Sequence, residues 1–537
     1  YTLFGGRVTW DAVANAVGYA IYRTTAAGTP SSTGLIGTTD ADTLTFTDTG
    51  IAGDSSTPPT TNTTGANNTA VGTDALKANT VGTGNTAVGT EALDAATTGT
   101  DNTAVGFAAL GANTTGIDNT AVGKDALLAA TIGTGNTAVG ARALDANTTG
   151  VNNTAVGLDA LGGTTIGTSN VAVGKDALKA NTTGVDNTAV GTGALDAATI
   201  ATSSTAIGKD ALGANTTGID NTAVGKDALL ANTIGTENVA VGESALAANT
   251  TGVQNVAVGA NALDANTVGV RNTAVGQDAL GANTTGTDNV AVGLNALLAN
   301  TTGITNTAVG GAALDANTIG TDLVAVGTNA LGGNTTGIDN TAVGSSALLA
   351  NTIGINNVAV GKGALVALTT GNDNVAIGHG ALDAATTAID NVAIGSNALG
   401  ANTIGTDNIA IGDDALLANT TGIDNVAVGG DALKAQTVGV RNVGIGKNAM
   451  TTLTTGTDNM AIGQGALDAA TTAVENVAIG TDALGACTVG INNIAIGDDA
   501  CLALTTATAC IGIGRDALLA VTTGVNNIAI GDTAGNT

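Results

Sequence analysis

The chain has 537 residues, of which 43% are hydrophobic but only 1% aromatic, so any core must be thin and built from Ala, Val and Leu rather than from Phe, Tyr and Trp. Its 43 acidic and 15 basic residues give a net charge of −28, which argues against a nucleic-acid or anionic-membrane partner, because both are bound through Lys and Arg. No apolar run approaches the roughly 20 residues of a membrane-spanning helix, so membrane insertion is not expected.

Residues 1–53 contain every aromatic residue except Phe107. Three segments alternate apolar and polar residues between turn-rich gaps, which predicts half-buried antiparallel strands: RVTWDAV, GYAIYRTT and LTFTDTG. Together they resemble part of a fibronectin type III domain, with Trp10, Tyr19 and Tyr22 at the places of that family's core Trp and Tyr. The resemblance implies a small β-sandwich-like module, N-terminally truncated at residue 1.

Residues 54–67 form a linker rich in Pro, Ser and Thr, and residues 68–537 then follow a strict seventeen-residue period without an insertion or deletion. Numbered from its opening Asn, the unit reads N-T/V-A-V/I-G-x-D-A-L-x-A-N-T-T-G-x-D and starts 28 times, the last unit being incomplete. Asn opens 25 of these units, Gly stands at position 5 in all 28, and Thr stands at position 13 in all 27 complete ones. Such strict spacing predicts stacked coils of one repeat each.

Positions 2–4 of the unit read TAV, VAV, VAI or IAI, which predicts a strand of three or four residues that ends at the Gly of position 5. The DALxA segment is compatible with a second strand or a single helical turn, and TT or TI with a third short segment. A helix–loop unit is rejected, because Gly and Thr–Thr in every period would penalise each helix. The prediction is an all-β fold, a parallel β-solenoid. Its Asn side chains should hydrogen-bond from coil to coil, and at ~4.8 Å per coil the rod would be roughly 130 Å long.

The strand is apolar on both sides, since Ala and Val of TAV point in opposite directions. The pair Ala228 and Leu229 shows the same pattern. A strand that is apolar on both faces should be covered on both, so we expect a homotrimer whose small Ala residues let three chains approach one axis. The alternative is a compact single-chain coil that buries the Ala at a corner.

Catalytic, cofactor-binding and metal-binding residues are not predicted. His379 is the only histidine, and the glycines recur at fixed corners rather than in a phosphate-binding loop. The Asp of position 7 could stack into a Ca²⁺-binding column, but Ala, Arg, Gly and Ser interrupt it, which favours a solvated polar surface. Cys501 replaces a Leu of position 9 and is expected to fill the core. The N-T-T triplets match the glycosylation pattern, yet we expect them to be a by-product of the Asn stacking.

The repeat resembles tandem repeats of bacteriophage tail fibres and related long surface adhesins, and its N-V-A-I-G core is similar to the heads of trimeric autotransporter adhesins. The resemblance covers residues 68–537, although the seventeen-residue unit is longer than the repeat of autotransporter heads. It implies an extracellular, non-enzymatic, homotrimeric shaft of a virion tail fibre. Its partners would be other tail or baseplate proteins and a host receptor bound through a distal region. The alternative is a bacterial surface adhesin or structural filament.

A remote third hypothesis is ice binding through the Thr column of position 13. That function needs a second Thr column on the same flat face. Position 2 could supply it, but its Thr gives way to Val, Ile or Met towards the C-terminus, as at Val375, Ile409 and Met460.

Overall fold

The computed structural model describes residues 65–536 and five short strands nearer the N-terminus. These strands are β1 (Thr2–Phe4), β2 (Arg7–Thr9), β3 (Gly18–Tyr22), β4 (Leu35–Asp40) and β5 (Thr45–Thr47). Strands β1, β2 and β5 form one antiparallel sheet and β3 pairs antiparallel with β4. The three predicted segments therefore contain β2, β3 and β5, whereas β1 and β4 were not anticipated. The core roles predicted for Trp10, Tyr19 and Tyr22, and most of the linker, lie outside what the structure describes.

The chain divides into two compact units, Tyr1–Gln254 and Asn255–Thr537. In the first unit, the strands of the repeat pair in parallel and in chain order, each in register with the strand of the neighbouring coil. These strands are β6 (Thr69–Val71), β7 (Thr86–Val88), β8 (Thr103–Val105), β9 (Thr120–Val122), β10 (Thr137–Val139), β11 (Thr154–Val156), β12 (Val171–Val173), β13 (Thr188–Val190), β14 (Thr205–Ile207), β15 (Thr222–Val224) and β16 (Val239–Val241).

The second unit repeats the same parallel, in-register arrangement, and strands β32 and β34 form a separate parallel pair. Its strands are β17 (Val256–Val258), β18 (Thr273–Val275), β19 (Val290–Val292), β20 (Thr307–Val309), β21 (Val324–Val326), β22 (Thr341–Val343), β23 (Val358–Val360), β24 (Val375–Ile377), β25 (Val392–Ile394), β26 (Ile409–Ile411), β27 (Val426–Val428), β28 (Val443–Ile445), β29 (Met460–Ile462), β30 (Val477–Ile479), β31 (Ile494–Ile496), β32 (Thr506–Thr508), β33 (Ile511–Ile513), β34 (Thr523–Val525) and β35 (Ile528–Ile530). The predicted all-β parallel solenoid with seventeen-residue turns is confirmed. The described residues contain no helix, and so none that could span a membrane.

The interior of each coil is filled by the Ala of positions 3 and 8 and the Leu of position 9. In the coil that opens at Asn221, the corresponding Ala223, Ala228 and Leu229 are completely buried. The DALxA segment is neither a strand nor a helical turn, because Leu229 adopts a left-handed conformation with φ of 51°. Its N–H donates to the carbonyl of Ala245 in the next coil at 2.9 Å. The left-handed backbone of this Leu turns its side chain inward. That conformation costs each coil about 1–2 kcal/mol of folding free energy.

Two further positions of the coil, 7 and 17, are also left-handed. Asp227 at position 7 has φ of 58° and Asp220 at position 17 has φ of 56°. Asp, Asn and Gly tolerate this region better than other residues, which explains why they recur at both positions. At position 5, Gly225 has φ of 139°, and a Cβ there would collide with the backbone of Gly242 in the next coil. The predicted Gly corner is confirmed.

Two ladders of buried Asn run along the stack. At position 1, Asn119 donates through Nδ2 to Oδ1 of Asn102 at 3.1 Å and to the carbonyl of Gly133 at 2.8 Å, and its N–H donates to the same Oδ1 at 3.0 Å. At position 12, Asn232 donates through Nδ2 to Oδ1 of Asn215 at 3.0 Å. The predicted stacking of Asn is confirmed, and each amide of position 1 satisfies backbone groups as well as its neighbour.

Position 15 lies against both ladders. A Cβ at Gly286 would collide with Oδ1 of Asn283, which is the position-12 residue of the same coil, and with a carbonyl of the next coil. Ala replaces this Gly in four coils, and in each of them position 12 is Ala or Leu instead of Asn. These coils open at Asn187, Asn374, Asn459 and Asn493. Gly at position 15 is therefore required mainly where the second ladder passes.

Candidate interaction surface

No group of three His, Cys, Asp or Glu side chains within the described part of the chain could hold a metal ion. His379 is exposed at position 6 of its coil. Cys501 is fully buried in the Leu column, as predicted, and burial raises the pKa of its thiol to about 12. A thiol in that state is neither nucleophilic nor a ready metal ligand at neutral pH.

Most Asp residues of position 7 pair with a neighbouring Lys or Arg. Asp176 accepts hydrogen bonds from Nζ of Lys175 at 2.7 Å and of Lys179 at 2.8 Å, and both lower the pKa of its carboxyl group. Their left-handed backbone, rather than metal binding, accounts for the abundance of Asp at this position. The preferred interpretation, a solvated polar surface, agrees with these contacts.

A charged notch opens where Gly162 and Gly163 leave no side chains. Arg142 closes one side through a bidentate ion pair with Asp159, with Nε–Oδ1 at 2.6 Å and Nη2–Oδ2 at 2.8 Å. Asp145 lies on the other side, and burial raises the pKa of its carboxyl group. Lys179 also lines the notch. Since Arg142 pairs with Asp159 and Lys179 pairs with Asp176 and Asp159, both cations of the notch already have carboxylate partners.

In each unit, the outward side chains of the strands form a surface without charge, which we call the strand face. It consists of positions 2 and 4, where only Thr, Val, Ile and Met occur at position 2 and only Val and Ile at position 4, in all 28 coils. In strand β10, the middle residue Ala138 is fully buried while Val139 is 37% exposed. The aliphatic column at position 4 therefore faces solvent in the single chain.

This geometry corrects the expected roles of the small residues. Ala at position 3 lines the coil interior, so it cannot be the residue that lets three chains approach one axis. Ala228 and Leu229 are both fully buried in the single chain, so that pair needs no cover from a neighbour. The apolar residues of a coil that remain exposed on its strand are the aliphatic residues of positions 2 and 4.

A second uncharged surface flanks the residue of position 15, which is buried. At positions 14 and 16 only Thr, Ile and Val occur, apart from Asn372. The aliphatic residues here are well exposed, Ile132 to 53% and Ile234 to 54%. Both columns thus combine exposed aliphatic side chains with an absence of charge, in a chain of net charge −28.

The Thr column of position 13 is committed to the backbone. The hydroxyl of Thr148 donates to the carbonyl of Thr165 in the next coil at 3.0 Å, and the same bond recurs along the stack. The hydrogens of these hydroxyls therefore stabilise the stacking of the coils. The N-T-T triplets likewise belong to the fold, because their Asn residues are buried within the second ladder.

Comparison with known proteins yields no match to a protein-family model or to a curated protein.

Proposed function

We propose that the chain is the shaft of a bacteriophage tail fibre, a non-enzymatic homotrimer in which the strand faces of three chains meet along a common axis. The shaft would hold a distal receptor-binding region away from the virion. Residues 1–53 would form the fibronectin type III-like module on the side of the tail or baseplate proteins.

The observation that carries the proposal is the strand face. Only Val and Ile occupy position 4, in every coil. These side chains point outward, so the packing of the single chain does not require them to be aliphatic. Charged residues lie at positions 6, 7, 10 and 17 instead. Copies that meet through the strand face would bury aliphatic side chains at about 25 cal/mol per Å². Their acidic positions 6, 7, 10 and 17 would then remain in solvent.

The mass of the purified chain in solution tests this proposal. A homotrimer has three times the chain mass of 50.9 kDa, and a monomer at all concentrations would exclude it. The variant Val275→Lys with Val309→Lys places two charges on the strand face, where both residues are 37% exposed, and should dissociate the trimer without unfolding the coils. Ile319→Lys with Ile353→Lys, on the other uncharged surface, adds the same charge and should leave the trimer intact.

A bacterial surface adhesin or extracellular filament is the alternative function for the same shaft. Antibodies against the repeats should label virion tails if the fibre belongs to a phage, and bacterial surfaces if it belongs to an adhesin. Labelling of uninfected cells would overturn the phage assignment while leaving the trimer intact.

A further inference from the structure

The strand face changes in composition along the chain. Over residues 69–224, which we call the hydroxyl segment, position 2 is Thr in nine of ten coils. Over residues 239–343, position 2 is Val in four of seven coils and Thr in the other three. Over residues 358–530, which we call the aliphatic segment, position 2 is Val, Ile or Met in all eleven coils, and position 4 is Ile in nine of them.

The loss of Thr is specific to the strand face. Position 3, which lies beneath it, is Ala in both segments apart from Gly444 and Gly512. Position 14, which is also uncharged, is Thr in five of ten coils of the hydroxyl segment and in seven of ten complete coils of the aliphatic segment. A general drift of the sequence towards apolar residues would have removed Thr from both columns. The change therefore concerns what the outward side chains of the strands contact.

The Thr hydroxyls of position 2 resist burial in a contact between copies. Among the described residues, these hydroxyls donate to no other group of the chain, so water satisfies them. Packing of the strand faces against one another would remove that water, which costs free energy unless each hydroxyl finds a partner on another copy. In the aliphatic segment the outward side chains, such as Ile409 at 38% and Ile411 at 37% exposure, have no polar atom and gain from burial.

We propose that the three strand faces pack closely over the aliphatic segment and separate over the hydroxyl segment, an inference that rests on the homotrimer proposed above. The coils of residues 239–343, which include Val275 and Val309, belong to the closed part. The net charge of −28 on each copy favours separation wherever apolar contact does not oppose it. The shaft is thus closed within the second unit and able to open within the first, where water reaches the Thr hydroxyls.

Two matched pairs of substitutions in the full chain test where the copies touch. Ile411→Lys with Ile445→Lys charges the aliphatic segment, and Val139→Lys with Val173→Lys charges the hydroxyl segment. All four residues lie at position 4 and are 37% exposed, and the members of each pair are two coils apart.

Sedimentation equilibrium over a concentration series measures the association of these variants. The pair in the aliphatic segment should weaken trimer formation about tenfold or more, which corresponds to about 1.4 kcal/mol, and the pair in the hydroxyl segment should leave the trimer intact. Equal weakening by both pairs would show that the faces pack along their whole length, which overturns this inference but not the homotrimer. A parent chain that is monomeric at all concentrations would overturn both.

Distances between copies give a second measurement that needs no added charge. Thr192 in the hydroxyl segment and Thr481 in the aliphatic segment are both exposed at position 6 of their coils. Each is changed to Cys in turn and given a nitroxide spin label, while the native Cys487, Cys501 and Cys510 are fully buried and should not react. Double electron–electron resonance should give a narrow distribution of distances between copies for the Thr481→Cys label and a broad one for the Thr192→Cys label. Equally narrow distributions in samples of trimer mass would contradict the inference.

Discussion

Two stretches of the second unit fill the same buried position 12 by opposite means. From Asn266 to Asn351 the position is Asn in every coil, and from Asn283 onwards each Nδ2 donates to the Oδ1 of the preceding coil, as Asn300 does at 3.0 Å. From Leu453 to Val521 it is Leu, Ala, Cys or Val, again buried in nearly every coil. Both fillings limit unsatisfied groups in the interior, since one pairs the Nδ2 of each amide from Asn283 to Asn351 and the other introduces no amide.

One transition between polar and apolar filling leaves a buried polar atom without a partner. Asn351 is followed by Leu368, and Oδ1 of Asn351 is buried without a hydrogen-bond partner. Among the described residues it is the only such side-chain atom. At other transitions the amide oxygen is satisfied, as Asn113 Oδ1 accepts from the N–H of Gly116 at 3.0 Å although Ala130 follows it, so this cost is specific to Asn351.

The largest expected effect comes from placing a charge in the Leu column of position 9, which is apolar in every complete coil. Leu229→Asp places an unpaired carboxylate in the Leu column and should lower the free energy of unfolding by several kcal/mol. Thermal or urea denaturation measures it. Leu230→Asp is the matched control, because Leu230 is 37% exposed and position 10 is Asp in other coils. Equal effects of the two variants would mean that the Leu column is not the core.

Interruption of the Asn ladder should cost less. Asn300→Leu removes the donor of Asn283 Oδ1 and the acceptor of Asn317 Nδ2, whose other bond, to the carbonyl of Gly320 at 3.1 Å, remains. One unsatisfied oxygen predicts a loss of about 1–3 kcal/mol, read from urea denaturation. A variant as stable as the parent would show that Asn283 Oδ1 finds another donor and that this bond of the ladder adds no stability.

Joining the two runs of Asn at position 12 into one ladder should increase the free energy of unfolding. Asn351 and Asn402 are separated by Leu368 and Ala385, and Ala388 at position 15 of the intervening coil leaves no room for an Asn. The triple variant Leu368→Asn, Ala385→Asn, Ala388→Gly should join the runs, pair Asn351 Oδ1, and stabilise the unit by about 1 kcal/mol, measured by urea denaturation.

The intermediate variants test the coupling between positions 12 and 15. Ala385→Asn alone should destabilise, because the Ala388 Cβ blocks its Oδ1, and Ala388→Gly should rescue it. Additive effects of these two substitutions, measured as a double-mutant cycle, would contradict the explanation of why Ala at position 15 accompanies Ala or Leu at position 12.

The sequence predicted the parallel solenoid, the coil length, the Gly corner and the stacked Asn, because each follows from a strict period or from one residue type with a special conformation. It did not reveal the left-handed Leu of position 9, which has no signal in residue type since Leu seldom adopts a positive φ. The seventeen-residue period shows which residues stack on one another, but it does not show whether their side chains point into the coil or out to solvent. For that reason the roles of Ala138 and Val139 were exchanged in the expected interface, whereas the stacking expected of the N-T-T Asn residues is found at position 12.

The smallest expected effects are changes in melting temperature at two Asp residues of the second unit, whose pKa values are shifted in opposite directions. Burial raises the pKa of Asp315 above the ordinary 3.8; it lies against Gly332, whose Cβ would be 3.3 Å from its Oδ1. The hydrogen bonds from Arg271 lower the pKa of Asp288. A raised carboxyl pKa means that the native state binds more protons, so stability falls as pH rises from 3.8 through the raised pKa. A lowered pKa gives stability that is present above 3.8 and is lost as pH falls through the lowered value.

Asp315→Asn should therefore melt slightly above the parent at pH 7 and at the same temperature near pH 3, because both forms are then uncharged. Asp288→Asn should melt slightly below the parent at pH 7, with the difference shrinking in acid. Both residues are partly solvent-exposed, so each effect should be small, as surface ion pairs are worth about 0–1 kcal/mol. Melting curves of the two variants between pH 3 and pH 7 measure both signs in one experiment. If both variants shift the same way at pH 7, net charge alone governs the surface and the distinction between these two sites is wrong.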